Sequence, residues 1–238
     1  MTRKLQTADL RDPDLIRNLN THLIRFVTPE RIEKFRNAIA LRTRHITVVL
    51  EDIFQPHNAS AVLRSCDCFG IQEIHIIENR NKYQVNPDVA LGSSKWLELR
   101  QYSGTRDNTT GCIENLKANG YRIIATTPHN GAHTPENLPL DQKAALLFGT
   151  ELEGLTPAAL RLADDFIRIP MVGLTESLNI SVSAAILLHT LTVRLRSSSI
   201  AWQLLPADRE RVLLEWLRQS ISRSDAVVRT FLATYKPL

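Results

Sequence analysis

Short runs of consecutive apolar residues, separated by stretches with a three- to four-residue apolar rhythm, dominate this chain. ITVVL at 46–50, IHII at 74–77, YRIIAT at 121–126, AALLF at 144–148 and FIRI at 166–169 are brief, apolar and mostly β-branched. Uninterrupted runs of that kind suit strands of a parallel sheet covered on both faces. Between them the pattern turns helical. Two helical stretches stop on glycine, 58–69 before Gly70 and 110–119 before Gly120, where a left-handed residue ends a helix at little cost. Thr156-Pro157 opens another short helix, and Ser181–Leu195 is a long apolar one. This alternation predicts an α/β domain with a mostly parallel sheet over residues 46–196.

The flanks read differently. Residues 1–45 form a helical extension in which Thr28 caps a helix that starts at Pro29. Ile32, Phe35 and Ile39 make its buried stripe, and Arg31, Lys34 and Arg42 fall largely off it. The pattern gives no account of residues 1–25. Residues 197–238 follow a Ser197-Ser198-Ser199 break and carry an amphipathic helix with Val212, Leu213, Trp216 and Leu217 on one face. Arg209, Arg211 and Arg218 are placed outside that face, and a shorter helix is expected around Val227–Leu232.

Charge sharpens this division. The net charge of the 238 residues is only +4, but residues 1–45 carry a net +5, residues 46–195 a net −4 and residues 196–238 a net +3. Basic ends around an acidic middle suggest terminal elements that meet a polyanion, although a solvated helix face would carry charge in the same way. The candidate phosphate contacts are Arg31, Lys34, Arg42, Arg44, Lys95 and Arg218. No apolar run is long enough to cross a membrane, and the first residues lack a secretory pattern. Three cysteines, Cys66, Cys68 and Cys112, fit neither a disulfide framework nor a zinc site. A reducing cytoplasm is the expected compartment.

Three loops following apolar runs carry the candidate chemistry. In the first, Pro56 to Arg64 (PHNASAVLR), Asn58 is expected at a helix mouth at the carboxyl end of a strand, where open α/β sheets bind ligands. Placed at the cap, outside the regular helix, Asn58 would share a facing with Arg64 despite the six-residue gap. Taken alone, a helix cap and a surface charge account for the pair as well. The second loop, LFGTELEGLT at 147–156, holds two glycines that let backbone approach a ligand, and a carboxylate, Glu151. The third, IPMVGLTESLNISVS at 169–183, brings Ser177, Asn179 and Ser181 to the start of a strongly apolar helix; any of the three could cap it.

In order and spacing, the Asn58…Arg64, Phe148-Gly149…Glu151…Gly154 and Ile169-Pro170-Met171…Ser177-Leu178-Asn179…Ser181 segments resemble the three motifs of the SpoU family of RNA 2′-O-methyltransferases. RHITVVLE at 44–51, PHNASAVLRSCDCFGIQE at 56–73, GSSKW at 92–96 and PADRERVLLEWLRQ at 206–219 look like the TrmH branch, which acts on a D-loop guanosine of tRNA. The resemblance implies an α/β domain with a C-terminal trefoil knot, a homodimer, S-adenosyl-L-methionine as methyl donor, and tRNA as partner. It implies a donor pocket at Thr126, Leu147, Gly149, Ile169, Met171 and Leu178, and a catalytic set of Arg64, Asn58, Glu151, Ser177 and Asn179. Arg64 is the family-like proton acceptor. A guanidinium ordinarily keeps its proton, so transient deprotonation and a purely electrostatic clamp both remain open. Asn58 is expected to orient Arg64 or the ribose. Two departures stand out: Glu176 occupies a position where this branch often has glutamine, and the N-terminal segment is longer than expected. An rRNA 2′-O-methyltransferase of the same family, which usually carries a larger N-terminal RNA-binding domain, and a non-catalytic RNA-binding module are the rival readings. No GxGxxG or Walker-type loop follows any strand.

Overall fold

A computed structural model describes residues 12–83, 92–105, 107–128 and 133–235. They fall into two compact units, residues 43–202 and residues 12–42 with 203–235. The two terminal segments, expected as separate extensions, are therefore parts of one unit.

The larger unit is built on six parallel strands in the order β3-β2-β1-β5-β4-β6. These are β1 (Ile46–Glu51), β2 (Glu73–Ile77), β3 (Glu98–Tyr102), β4 (Tyr121–Thr126), β5 (Lys143–Phe148) and β6 (Asp165–Ile167). The fully buried pattern of β1 follows from cover on both sides. On one face Val48 and Leu50 pack with Val62, Leu63 and Cys66 of α3 (Pro56–Cys68), and with Leu187, Leu188 and Leu191 of α6 (Ile180–Arg196). On the other, Val49 joins Ile113 and Leu116 of α4 (Asn108–Ala118) and Ala159 of α5 (Pro157–Leu162). Each fully buried Leu or Ile contributes roughly 1.5–3 kcal/mol relative to exposure. No described helix is long and apolar enough to cross a membrane.

Two expectations about strands change. Edge strand β3 has the sequence ELRQY and only β2 as a neighbour among the described strands; its partly exposed pattern hides it from a search for apolar runs. The strand expected at 166–169 is Asp165–Ile167, so Ile169 lies in the loop beyond it.

Charged groups gather at the amino ends of β2 and β3. Arg44 stands 2.6 Å from Glu98 and 3.8 Å from Glu73, and Arg100 3.3 Å from Glu73. Buried His75 places Nε2 3.1 Å from Glu73 and Nδ1 3.1 Å from the Tyr102 hydroxyl. Burial pushes the Glu73 carboxyl up, but His75, Arg100 and Arg44 together hold it down at about 2. Glu98 is raised, chiefly by burial, with Arg44 opposing.

The smaller unit packs α1 (Pro13–Leu23) and α2 (Pro29–Ala40) against α7 (Pro206–Ser220), and α8 (Ser224–Thr234) against α1 and α7. Asp12 caps α1 and Thr28 caps α2, each with proline at the start of its helix. Asn20 of α1 donates to the Glu210 carbonyl (2.9 Å) and carboxylate (2.7 Å) of α7. Phe35 meets Trp216 edge to face at 5.4 Å. Arg42, expected on the outside, is buried with its guanidinium 5.0 Å from the Trp216 ring centre. A cation over an indole face is attracted by the ring quadrupole, which holds Arg42 inside.

Candidate active site

Strand order reverses direction around β1, with β2 on one side and β5 on the other. Ligands of open α/β sheets bind beyond the carboxyl ends of strands at such a switch point. Leu50 of β1 is paired with Phe148 of β5, so the first and second motif loops leave the sheet side by side.

After β1 the chain turns at Asp52, whose φ is 53°. Aspartate tolerates this left-handed region better than most residues. One Asp52 carboxylate oxygen accepts from the backbone N–H groups of Asn79 (2.7 Å), Arg80 (2.9 Å) and Asn81 (3.3 Å), which fixes the turn. Glu51, also buried, accepts from the Thr109 and Thr156 hydroxyls (2.6 and 2.8 Å) and the Thr156 N–H (2.9 Å). It ties β1 to α4 and to the cap of α5. A carboxylate closing an apolar run is the signal that would have singled out both residues.

α3 starts at Pro56, preceded by Gln55 at the cap. Asn58 is thus the third helical residue, not the cap. Six residues of regular helix then turn Arg64 about 120° away from it. Asn58 is buried, 3% exposed, and Arg64 is exposed with no hydrogen bond or ion pair to any described residue. The expected Asn58–Arg64 contact is absent. Instead the Asn58 amide donates to the Glu151 carboxylate and to Gln55 (3.2 Å), and its oxygen accepts from the Asn179 amide at 3.1 Å. One side chain therefore joins three loops separated by 93 and 121 residues.

The second loop is pinched shut. Thr150 and Gly154 exchange backbone hydrogen bonds at 3.0 Å, and a Cβ on Gly149 would stand 2.2 Å from the Gly154 carbonyl carbon. Only glycine fits there. Glu153, at the turn, pairs with Arg80 at 2.6 Å. In the third loop Asn179 caps α6: its oxygen accepts from the Ser181 N–H (2.8 Å) and hydroxyl (2.6 Å) while its amide reaches Asn58. Ser177 is exposed.

Beside this junction lies a cavity of about 530 Å³, within the roughly 300–1,000 Å³ usual for small-molecule sites. Thr126, Gly149, Glu151, Ile169, Met171, Ser177 and Leu178 line it, as do Phe148, Ile167 and Leu187. Leu147 does not. Successive strand residues point to opposite faces, so its side chain packs with Val49 and Ile123. Only its carbonyl takes part, accepting from the Thr126 hydroxyl at 2.7 Å. The apolar wall suits an aromatic ring system, the hydroxyls and loop backbone suit its polar edges, and Glu151, Glu153 and Glu176 give the lining an acidic character. No Lys or Arg is among the described lining residues. That inventory fits an organic cation with a flat heterocycle.

A SpoU rRNA Methylase family model matches residues 45–189. The chain belongs to that family. Among SpoU relatives, the tRNA (guanosine(18)-2′-O)-methyltransferase of Borreliella burgdorferi is 41% identical over 210 residues, covering 88% of this chain and 94% of the relative. The enzyme of the same name from Thermus thermophilus is 33% identical over 194 residues, covering 81% and 98%. The crystal structure of the A. aeolicus TrmH/SpoU tRNA modifying enzyme matches with a TM-score of 0.71 at 25% identity, over 82% of this chain and 98% of that one.

Among the basic positions singled out in the sequence, Arg31, Lys34 and Lys95 are exposed. The other three are engaged within their own units: Arg42 on Trp216, Arg44 with Glu98, and Arg218 with Asp225 at 2.9 Å. For Arg42 and Arg44 the sequence could not reveal this, because Trp216 lies far away and Glu98 on an edge strand that it concealed; Asp225 is only seven residues from Arg218.

Proposed function

We propose that this chain methylates the ribose 2′-hydroxyl of a D-loop guanosine in tRNA, with S-adenosyl-L-methionine as methyl donor. The observation that carries this reading is the Asn58 junction, where the three SpoU motifs meet at the edge of a cavity suited to a cationic nucleoside. Bound there, the donor would supply an electrophilic methyl on positively charged sulfur. Thr126, Gly149, Ile169, Met171 and Leu178 would hold it, together with Phe148 and the Leu147 carbonyl. Asn58, Glu151 and Asn179 keep the rims of the cavity in register, and Ser177 lies open at its wall. Arg64, exposed on α3, is available to the incoming RNA, where it would assist loss of the hydroxyl proton or clamp the adjacent phosphate. Arg31, Lys34 and Lys95 are the exposed basic residues available for phosphates.

Family membership supports three further parts of the reading: a trefoil knot in the C-terminal part of the α/β domain, a homodimer, and action in the cytoplasm. For the dimer there is also a surface. Val182, Ile186 and Val193 recur on one side of α6 and are 45%, 37% and 50% exposed. Such an apolar stripe suits a second copy of the chain.

The test is methyl transfer from radiolabelled donor to unmodified tRNA and to rRNA, followed by nucleoside mapping. Label is expected in 2′-O-methylguanosine of the tRNA D-loop. Label confined to rRNA, or on a base rather than a ribose, would overturn the assignment.

A further inference from the structure

The charges around the cavity are one-sided. Glu151, Glu153 and Glu176 line it with no Lys or Arg among the described lining residues. They are not equivalent. Glu151 is held by the Asn58 amide, and Glu153 faces Arg80 at 2.6 Å. Glu176 is exposed to solvent, next to Ser177, and has no hydrogen bond or ion pair with any described residue. Among the described residues, none balances its charge.

We propose that Glu176 reads the positive charge of the methyl donor, so that the pocket holds the sulfonium form in preference to the demethylated thioether. The inference rests on the methyl-transfer reading above and concerns which form of the cofactor the site retains. In the transfer, the ribose 2′-oxygen forms a bond to the methyl carbon and its proton passes to solvent water. The carbon–sulfur bond breaks with its electron pair remaining on sulfur. The sulfonium thereby becomes a neutral thioether, while the ammonium and carboxylate of the amino-acid group are unchanged. Donor and product therefore differ by one positive charge and one methyl group, and a carboxylate in the wall senses the first difference.

The cavity sets the scale of the effect. A cavity of about 530 Å³ is on the order of 10 Å across, comparable to the screening length of about 8 Å at physiological salt. Opposite unit charges roughly 6 Å apart, partly solvated, change affinity by about three- to tenfold. The consequence is kinetic as well. Once the methyl has left, the attraction holding the ligand falls, which favours exchange of spent product for fresh donor. The same unpaired carboxylate repels phosphates, so RNA is discouraged from entering the donor pocket.

The experiment is calorimetric binding of three probes, S-adenosylmethionine, S-adenosylhomocysteine and sinefungin, to the full-length wild-type protein and to Glu176→Gln. In sinefungin an amine-bearing carbon replaces the sulfonium, so its positive charge is retained without a transferable methyl. Glu176→Gln is expected to weaken the two cationic probes about three- to tenfold and to leave S-adenosylhomocysteine within about twofold. The wild-type preference should also shrink as salt is raised. Equal changes for all three probes, or none, would overturn the proposal. Wild-type protein that binds none of them would instead remove the donor assignment on which it depends.

Discussion

Replacing Asn58 by aspartate changes one atom's chemistry at the point where three loops meet. Asn58 is 3% exposed and uses its amide to donate to Glu151 and Gln55 while accepting from Asn179. Asn58→Asp retains the acceptor for Asn179 and leaves the volume nearly unchanged. It removes the donor to Glu151 and sets two carboxylates against each other. A hydrogen bond to a charged partner is worth about 1.5–3 kcal/mol, and repulsion adds to its loss, giving about 3 kcal/mol in the assembled site. At roughly 1.36 kcal/mol per decade, that is about a hundredfold in single-turnover methyl transfer at neutral pH. The defect should be pH-dependent. Two adjacent carboxylates hold a shared proton more tightly than either would alone, so acidification restores a hydrogen bond between them. The ratio of wild-type to variant rate should narrow between about pH 8 and pH 5.5. Asn58→Ala, which adds no charge, should show a deficit without that recovery. Single-turnover rates with donor-binding calorimetry across this range provide the assay. Wild-type rate and donor affinity for Asn58→Asp at pH 8 would refute the argument that this junction holds the site together.

Arg64→Ala should leave urea stability within about 0.5 kcal/mol, as the side chain is exposed and unpaired among the described residues, yet lower single-turnover transfer at least a hundredfold; an undiminished rate would remove Arg64 from the mechanism. Gly149→Ala forces a Cβ to 2.2 Å from the Gly154 carbonyl carbon, so we expect a loss of about 1–3 kcal/mol in urea unfolding and weakened donor binding. Glu73→Gln tests the charged cluster at the amino ends of the strands. A carboxyl at about 2 in the folded chain against 4.5 stabilises fully above about pH 5, and the contribution disappears as pH falls through about 2. Partial solvation and the nearby Glu98 reduce it to about 1–2 kcal/mol, so urea curves of variant and wild type should differ at pH 7, draw together as pH falls, and converge only below about pH 2. Ile186→Asp places a charge on the exposed stripe of α6 and should shift a dimer towards monomer in analytical ultracentrifugation.

What the chain disclosed in advance follows from how each element is buried. β1, β4 and β5 are covered on both faces and read as continuous apolar runs, so they were legible to within a residue or so at their ends. β3 is only partly buried and has a charged middle, which a search for apolar runs passes over. The loops were legible as motifs, but their connections were not. Pro56 at the start of α3 is itself a helix-start signal; weighing it above Asn58 would have placed the asparagine inside the helix and turned Arg64 away. The partners of Asn58 in the other two loops lie 93 and 121 residues downstream, a distance that no local pattern spans. Arg42 looks like a surface charge in the sequence because Trp216 is remote, although the two side chains pack together. Leu147 illustrates the pleat: its neighbours Phe148 and Gly149 line the cavity, while its own side chain turns to the opposite core.

In the smaller unit α1, with Ile16, Leu19 and Leu23 buried, packs against α7, and the Asn20–Glu210 hydrogen bonds join the two across 190 residues. A ribosome emits the first of these helices long before the second exists. During synthesis the apolar side of α1 therefore waits for α7, while strands β1 to β5 already have one another. Translation speed, or a chaperone that shields α1, should accordingly influence yield through this unit more than through the sheet.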